Sequence, residues 1–296
     1  MPTTRIGISG WNYRGWRGGF YPPGLPQKEE LAYASRRLES IEVNGSFYSL
    51  QTPASYERWY RATPPGFVFG VKGSRFITHM KKLTDVRVPL ANFLASGVLW
   101  LEEKLGPILW QLGPRHAFRE ERLVAFLELL PKTTRQAAAL AREHDHRVAG
   151  RAWTTVRRDR PLRHALEVRH PSHLGAELVA LLRRHGVALV FADTAGLWPY
   201  AEELTASFVY LRLHGSQQIY ASGYTDAELD WLAARIRTWR TGSMPADCVR
   251  IPGCREPSTR PRDAYVYFDN DAKVRAPFDA MRLQERLRRK RPDAAA

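Results

Sequence analysis

Residues 165–193, ALEVRHPSHLGAELVALLRRHGVALVFAD, decide the fold. Residues 165–169 read as a short strand with Glu167 and Arg169 on one face, two positions apart. A helix-like segment follows over 172–185. It carries Arg183, Arg184 and His185 in its last turn and Gly186 at its stop, where cations and glycine belong. Residues 188–193 then read as a second strand. A strand, a helix and a strand within 29 residues predict two parallel strands joined by a crossover.

The same unit recurs on both sides. Upstream, strand-like runs lie at 5–10 (RIGISG), 40–44 (SIEVN), 67–72 (FVFGVK) and 107–112 (PILWQL). Downstream they lie at 208–214 (FVYLRLH) and 264–269 (AYVYFD). Each is short, rich in β-branched and aromatic residues, and bounded by Gly, Pro or polar residues. Helix-like segments fall between them at 27–39, 54–61 after Pro53, 88–105, and 119–130 and 133–144 split by Pro131. Others are a short one at 198–204, one at 225–240 with the Thr225/Glu228 capping-box spacing, and one at 273–290. Eight such units predict an α/β protein built as one (β/α)₈ barrel of parallel strands with outer helices, rather than an open doubly wound sheet. No Gly-x-Gly-x-x-Gly follows a strand and no Walker A motif occurs. The chain of 296 residues is expected to be one domain, with a core over 5–285 and a basic tail over 286–296.

Apolar residues make up 44% of the chain, enough for a sizeable core, and no apolar run is long enough to span a bilayer. The N-terminus enters a strand-like pattern at once, without a secretory pattern, so a cytoplasmic protein without membrane contact, most simply a monomer, is expected. Cys248 and Cys254 are expected to be free thiols. The charge is +15, and eight of the 45 cationic residues are Lys. Such an excess favours phosphorylated ligands or polyanions, although part of it can serve solubility.

In such a barrel, function gathers at the C-terminal strand ends. There the sequence places Trp11 and Tyr13 after the first strand, Glu42 and Asn44 on the second, Lys72 on the third and Gln111 on the fourth. Glu167, Arg169 and His170 follow on the fifth, Asp193 on the sixth, Arg212 and His214 on the seventh, and Asn270 after the eighth. Aromatic residues cluster in the same loops, among them Tyr48, Trp198 and Tyr220. Charged side chains at strand positions are costly unless paired or solvated, so the set reads as a site, with Glu167–Arg169 or Glu167–Arg212 pairing as the structural alternative.

At these residues the chain resembles the YecE-like family, domain of unknown function 72. The matching stretches are Ile41-Glu42-Val43-Asn44 running into Ser46-Phe47-Tyr48, Phe69-Gly70-Val71-Lys72, Gln111-Leu112-Gly113-Pro114, Leu166-Glu167-Val168-Arg169-His170-Pro171, Tyr210-Leu211-Arg212-Leu213-His214-Gly215 and Tyr267-Phe268-Asp269-Asn270-Asp271. The resemblance implies the barrel and no established activity. The last stretch departs from the commoner form, in which Asn and His occupy parts of it, so no role is carried to Asp269 or Asp271.

The residues support three functions. The favoured one is binding of a phosphate-bearing ligand, nucleic acid included, with Lys72, Arg169 and Arg212 meeting phosphate oxygens and the aromatic loops stacking on bases or a sugar. The second is a hydrolase, nuclease-like, or a sugar-phosphate isomerase, with Glu42 or Glu167 as general base and His214 as its acid–base partner. A divalent-metal version of it would draw on Glu42, Asp193, His170 and His214. No His-x-His or His-Glu-x-x-His spacing supports that version, so metal is not favoured and no cofactor is named. The third is a non-catalytic adaptor that uses its basic helices as a partner surface.

Overall fold

Short strands with one apolar face and one polar or small face need cover on the first and closure on the second. The chain meets both needs with a closed parallel barrel. The computed structural model describes residues 2–289. In it β1 (Thr4–Ser9), β2 (Ser40–Val43), β3 (Val68–Lys72), β4 (Leu105–Gln111), β5 (His164–Glu167), β6 (Ala188–Asp193), β7 (Phe208–Leu213) and β8 (Asp263–Phe268) pair in chain order, and β8 returns to β1. The helices are α1 (Glu30–Ser35), α2 (Gly45–Tyr48), α3 (Pro53–Ala62), α4 (Arg87–Ala95), α5 (Glu120–Leu129), α6 (Thr134–Ala141), α7 (Ala176–His185), α8 (Asp226–Thr241) and α9 (Arg275–Arg288).

Two cores result from the pleat. Ile6 and Ile8, Ile41 and Val43, and Phe69 and Val71 point outward beneath the helices. Inside the barrel, Ala165, Ala188 and Ala192 of β5 and β6 face Phe208, Tyr210, Tyr265 and Tyr267 of β7 and β8. Small residues on one side make room for rings on the other. Gly70 is part of this fit, because a Cβ there would sit 2.8 Å from the Tyr267 hydroxyl.

Several boundaries differ from the sequence reading, each for a local reason. The expected helix at 88–105 stops at Ala95, because Gly97 takes a left-handed φ of 115°; a 3-10 stretch, Val98–Lys104, then leads into β4. The segment 27–39 is a 3-10 turn running into the short α1, and 172–185 divides into a 3-10 turn, Pro171–His173, and α7. No helix forms at 198–204. Pro199 disfavours the helical conformation at Trp198 before it, and Glu202 and Glu203 are buried by Arg235, Arg183 and Arg250 instead. The expected stops at Gly186 and the capping box at Thr225 both form. Cys248 and Cys254 are free. Of the expected basic tail, 290–296 lie outside the described residues. Among the described residues, no helix is long and apolar enough to cross a membrane.

Candidate functional site

The inward faces of β2, β5, β7 and β8 end in charge. Arg212 of β7 is fully buried, with three carboxylates around it. Its Nη2 donates to Glu42 at 2.9 Å and to Asp269 at 2.8 Å, its Nη1 to Glu167 at 2.9 Å, and its Nε to Glu42 at 3.2 Å. Ser9 and Tyr210 also donate to Glu42, at 2.8 and 2.5 Å. Gln111 Nε2 donates to both oxygens of Glu167, at 2.8 and 2.9 Å, and Arg169 Nε donates to it at 2.7 Å. Burial alone would raise the Glu167 pKa, but Arg169 and Arg212 outweigh it and hold the carboxyl well below its usual range. Burial likewise works against Asp269, yet Arg212 brings it down to about 2. Burial disfavours the Arg212 cation, and the carboxylates more than compensate, pushing its pKa up. An arginine can only donate, so His214 Nε2, 3.2 Å from Arg212 Nη1, accepts. The ring proton then sits on Nδ1, 3.1 Å from Asp269 Oδ2 but without a hydrogen bond there.

Above this layer opens a cavity of about 840 Å³. Arg169 forms part of its wall. Its Nε is held by Glu167, and its guanidinium carbon lies 3.5 Å from the centre of the Trp198 ring. Its two Nη groups have no carboxylate partner among the described residues, and the Tyr220 hydroxyl is their polar neighbour. Lys72, at the end of β3, is 7% exposed. Its ammonium lies 4.2 Å from the Phe47 ring centre and has no hydrogen-bond or ion-pair partner among the described residues. Burial, then the nearby Arg212, lower its pKa to about 8. Asn44 Oδ1 is buried and also without a partner. On the β8 side Asp271 titrates near 6, raised by burial and by Asp269.

Loops complete the walls. Gly10 takes φ 78°, which lets Tyr13 fold back and donate to the Ser9 carbonyl at 2.6 Å. A π-helical turn after β3, Phe76–Met80, carries His79 and Met80 to the rim beside Arg75. Tyr220 holds a left-handed φ of 65°, unusual for an aromatic residue, with its amide bonded to the His214 carbonyl.

The cavity thus brings together Tyr13, Asn44, Tyr48, Lys72, Gln111 and Arg169 of the expected set. Four more expected residues, Glu42, Glu167, Arg212 and His214, sit under it, out of contact with solvent. This corrects two expected roles. Arg212 has no donor left for a phosphate, and Glu42 and Glu167 are saturated with donors. The remaining four lie elsewhere, for reasons the pleat and loops supply. Trp11 turns outward onto Trp59 at 5.3 Å. His170, one residue past Arg169, faces away and accepts from the Ser172 amide. Asp193 is held by the Tyr224 hydroxyl at 2.7 Å and faces an adjoining pocket near α8. Asn270 is buried between Ser222 and Asp279. Among the described residues no three His, Cys, Asp or Glu side chains form a metal-ligand group, so the proposed metal set does not assemble. Arg75, Asp269 and Asp271 were absent from the expected site residues. The alternation Asp269-Asn270-Asp271 was the available signal, since the outer two share a face.

Fold and site define a parallel eight-stranded barrel with a sealed ion-pair layer beneath an open polar cavity. The chain belongs to the family described as "Protein of unknown function DUF72", whose model matches residues 5–296. The YecE-like resemblance therefore holds. A curated relative, the UPF0759 protein YunF of Bacillus subtilis (strain 168), is 33% identical over 133 residues, which span 41% of this chain and 44% of that protein. The chain thus matches less than half the length of this relative. A crystal structure of a DUF72 family protein from Thermotoga maritima superposes with a TM-score of 0.73 at 24% identity, covering 97% of this chain and all of that one. One from Enterococcus faecalis V583 gives 0.69 at 15%, covering 97% and 96%. At these identities the likeness establishes the fold.

Proposed function

We propose that the barrel mouth binds a small phosphate-bearing ligand, with Arg169 as its phosphate contact. One observation carries this reading: the guanidinium is fixed before any ligand arrives. Glu167 holds Nε, Trp198 supports the plane, and the Nη pair is left without a counter-ion. A planar fork held this way suits two phosphate oxygens and loses little entropy on binding. Arg212 is then a positioning residue, since it fixes the Glu167 that fixes Arg169. The cavity of about 840 Å³ matches a sugar phosphate or mononucleotide. Tyr220, half-buried on the cavity wall, offers a face for a base or sugar.

A nucleic-acid end is the second reading. Tyr48 is 67% exposed at the rim, with the Arg75 guanidinium 5.8 Å from its ring, a pairing that favours a ligand reaching beyond the cavity. In an enzymatic version of either, the cavity-facing Asp271 replaces Glu42 and Glu167 as the proton-transfer group, because its pKa lies near neutrality.

The test is a thermal-shift series with sugar phosphates, mononucleotides and short single-stranded DNA and RNA at two salt concentrations. A ligand of the folded state raises the melting temperature by mass action. The expected result is a shift with a small phosphorylated compound in the wild type that is lost in Arg169→Met. A shift that survives in Arg169→Met, or one confined to oligonucleotides and erased by salt, would overturn the reading.

A further inference from the structure

The feature of the cavity that phosphate binding leaves unused is Lys72. Its side chain is more than nine-tenths buried, it lines the cavity, and among the described residues no acceptor engages it. The stem is buried while the ammonium opens onto the cavity, so a group held in the cavity can reach it where no protein acceptor does. The charged groups that act on it are Arg212, Glu42, Glu167 and Asp269, all committed to one another below, and His79 lies at the rim. Asn44, whose Oδ1 is also buried and unpartnered, lines the same cavity.

We infer that Lys72 Nζ is a nucleophile that forms an imine with the carbonyl carbon of a phosphorylated aldehyde or ketone held by Arg169. The inference rests on the phosphate reading above for the substrate's anchor, and on Lys72 alone for its chemistry. Lys72 ends β3 and Arg169 lies just past β5, two strands away, and both line the same cavity. A short phosphorylated sugar lying across the strand ends would meet both. The amine lone pair attacks the carbonyl carbon, a C–N bond forms, and the carbonyl π pair moves to oxygen. A proton passes from nitrogen to that oxygen to give a carbinolamine. The hydroxyl then leaves as water with a proton from Asp271 or solvent, and the nitrogen lone pair closes the C=N bond. No oxidant or reductant is needed. With a pKa of about 8, about one-tenth of Lys72 is neutral at pH 7, against about one part in three thousand for an ordinary lysine.

The experiment is reductive trapping on the purified full chain, with pyridoxal 5′-phosphate and with pyridoxal as probes. Sodium borohydride reduces each imine to a stable secondary amine, and peptide mass spectrometry locates the adduct. Eight lysines make the map short. The expected result at pH 7 is labelling of Lys72 at least tenfold faster than of Lys81 or Lys82. That labelling is lost in Lys72→Met, a variant checked for folding by its melting temperature, while the slower labelling of Lys81 and Lys82 persists. Labelling of Lys72 no faster than of Lys81 and Lys82 would overturn the inference. The two probes separate it from the phosphate reading. Each rate is taken relative to Lys81 and Lys82 with the same probe, which cancels the lower free-aldehyde content of pyridoxal. If both readings hold, the relative rate at Lys72 is higher with pyridoxal 5′-phosphate than with pyridoxal, and Arg169→Met removes that advantage while pyridoxal still reacts. Equal relative rates for the two probes in the wild type, with Lys72 still ahead of Lys81 and Lys82, would uphold the nucleophile and contradict the phosphate anchor. Stabilisation by pyridoxal 5′-phosphate through Arg169 without any adduct at Lys72 would do the reverse.

Discussion

The ammonium of Lys72 and the guanidinium of Arg212 are both buried, and their neighbours give them opposite consequences for stability. Lys72 has a folded pKa of about 8, below its ordinary value. Its charge therefore opposes folding at neutral pH, and the cost vanishes as pH rises from about 8 to about 10.5. Lys72→Met is expected to raise stability at pH 7 by up to about 3 kcal/mol, with the gain shrinking toward pH 10, as urea denaturation across pH would show. A stability gain coupled to loss of imine trapping would mark a residue kept for function. Arg212 is the reverse case. Asp269 and Glu167 are depressed, so their stabilisation is present above about pH 4 and is lost as pH falls toward 2. Arg212→Met leaves three carboxylates without their partner and is expected to cost about 3–5 kcal/mol at pH 7. The gap to wild type should narrow below pH 4 as those carboxylates protonate. A gap independent of pH would mean that packing, rather than charge, is what Arg212 supplies.

Among the elements, β3 shows most clearly how backbone space sets the site. Trp110 of β4 packs against the backbone just past Lys72, and a Cβ at Gly73 would lie 2.3 Å from its ring. Gly73→Ala should therefore cost about 1–3 kcal/mol by overpacking, measurable as a lower denaturation midpoint with an unchanged slope. An unaltered midpoint would show that the indole can yield. The strands were legible in the sequence because each is a short β-branched or aromatic run between breakers, and the pleat period placed Glu42 with Asn44 and Glu167 with Arg169 on shared faces. Depth was not legible. Whether an inward residue ends within the ion-pair layer, like Arg212, or above it, like Lys72, depends on how far each strand rises against its neighbours. The segment 198–204 was misread because its glutamates suit a helix on the surface, whereas here they pair with arginines distant in sequence. Tyr220 and Arg75 reach the rim through loop conformations that no periodicity encodes.

Across the whole molecule, many arginines of the outer helices are held in ion pairs, which leave the net charge unchanged but fix those side chains on the protein's own carboxylates. Arg282 and Arg286 of α9 share Asp226, and Arg235 of α8 pairs with Glu202 and Asp247. Phosphate recognition then falls to one preorganised arginine rather than to the overall charge of +15. Affinity for a small phosphorylated ligand should then depend weakly on salt, with a log–log slope of no more than about 2, whereas a polyanion spread over the basic helices would give a much steeper one. Titrations at several ionic strengths distinguish the two. The most direct measurement is anomalous diffraction from crystals soaked in tungstate, a phosphate mimic visible by its metal. The expected result is a peak inside the barrel mouth within hydrogen-bond reach of the Arg169 Nη pair, absent in Arg169→Met. Peaks confined to the outer helices, with the mouth empty, would contradict it.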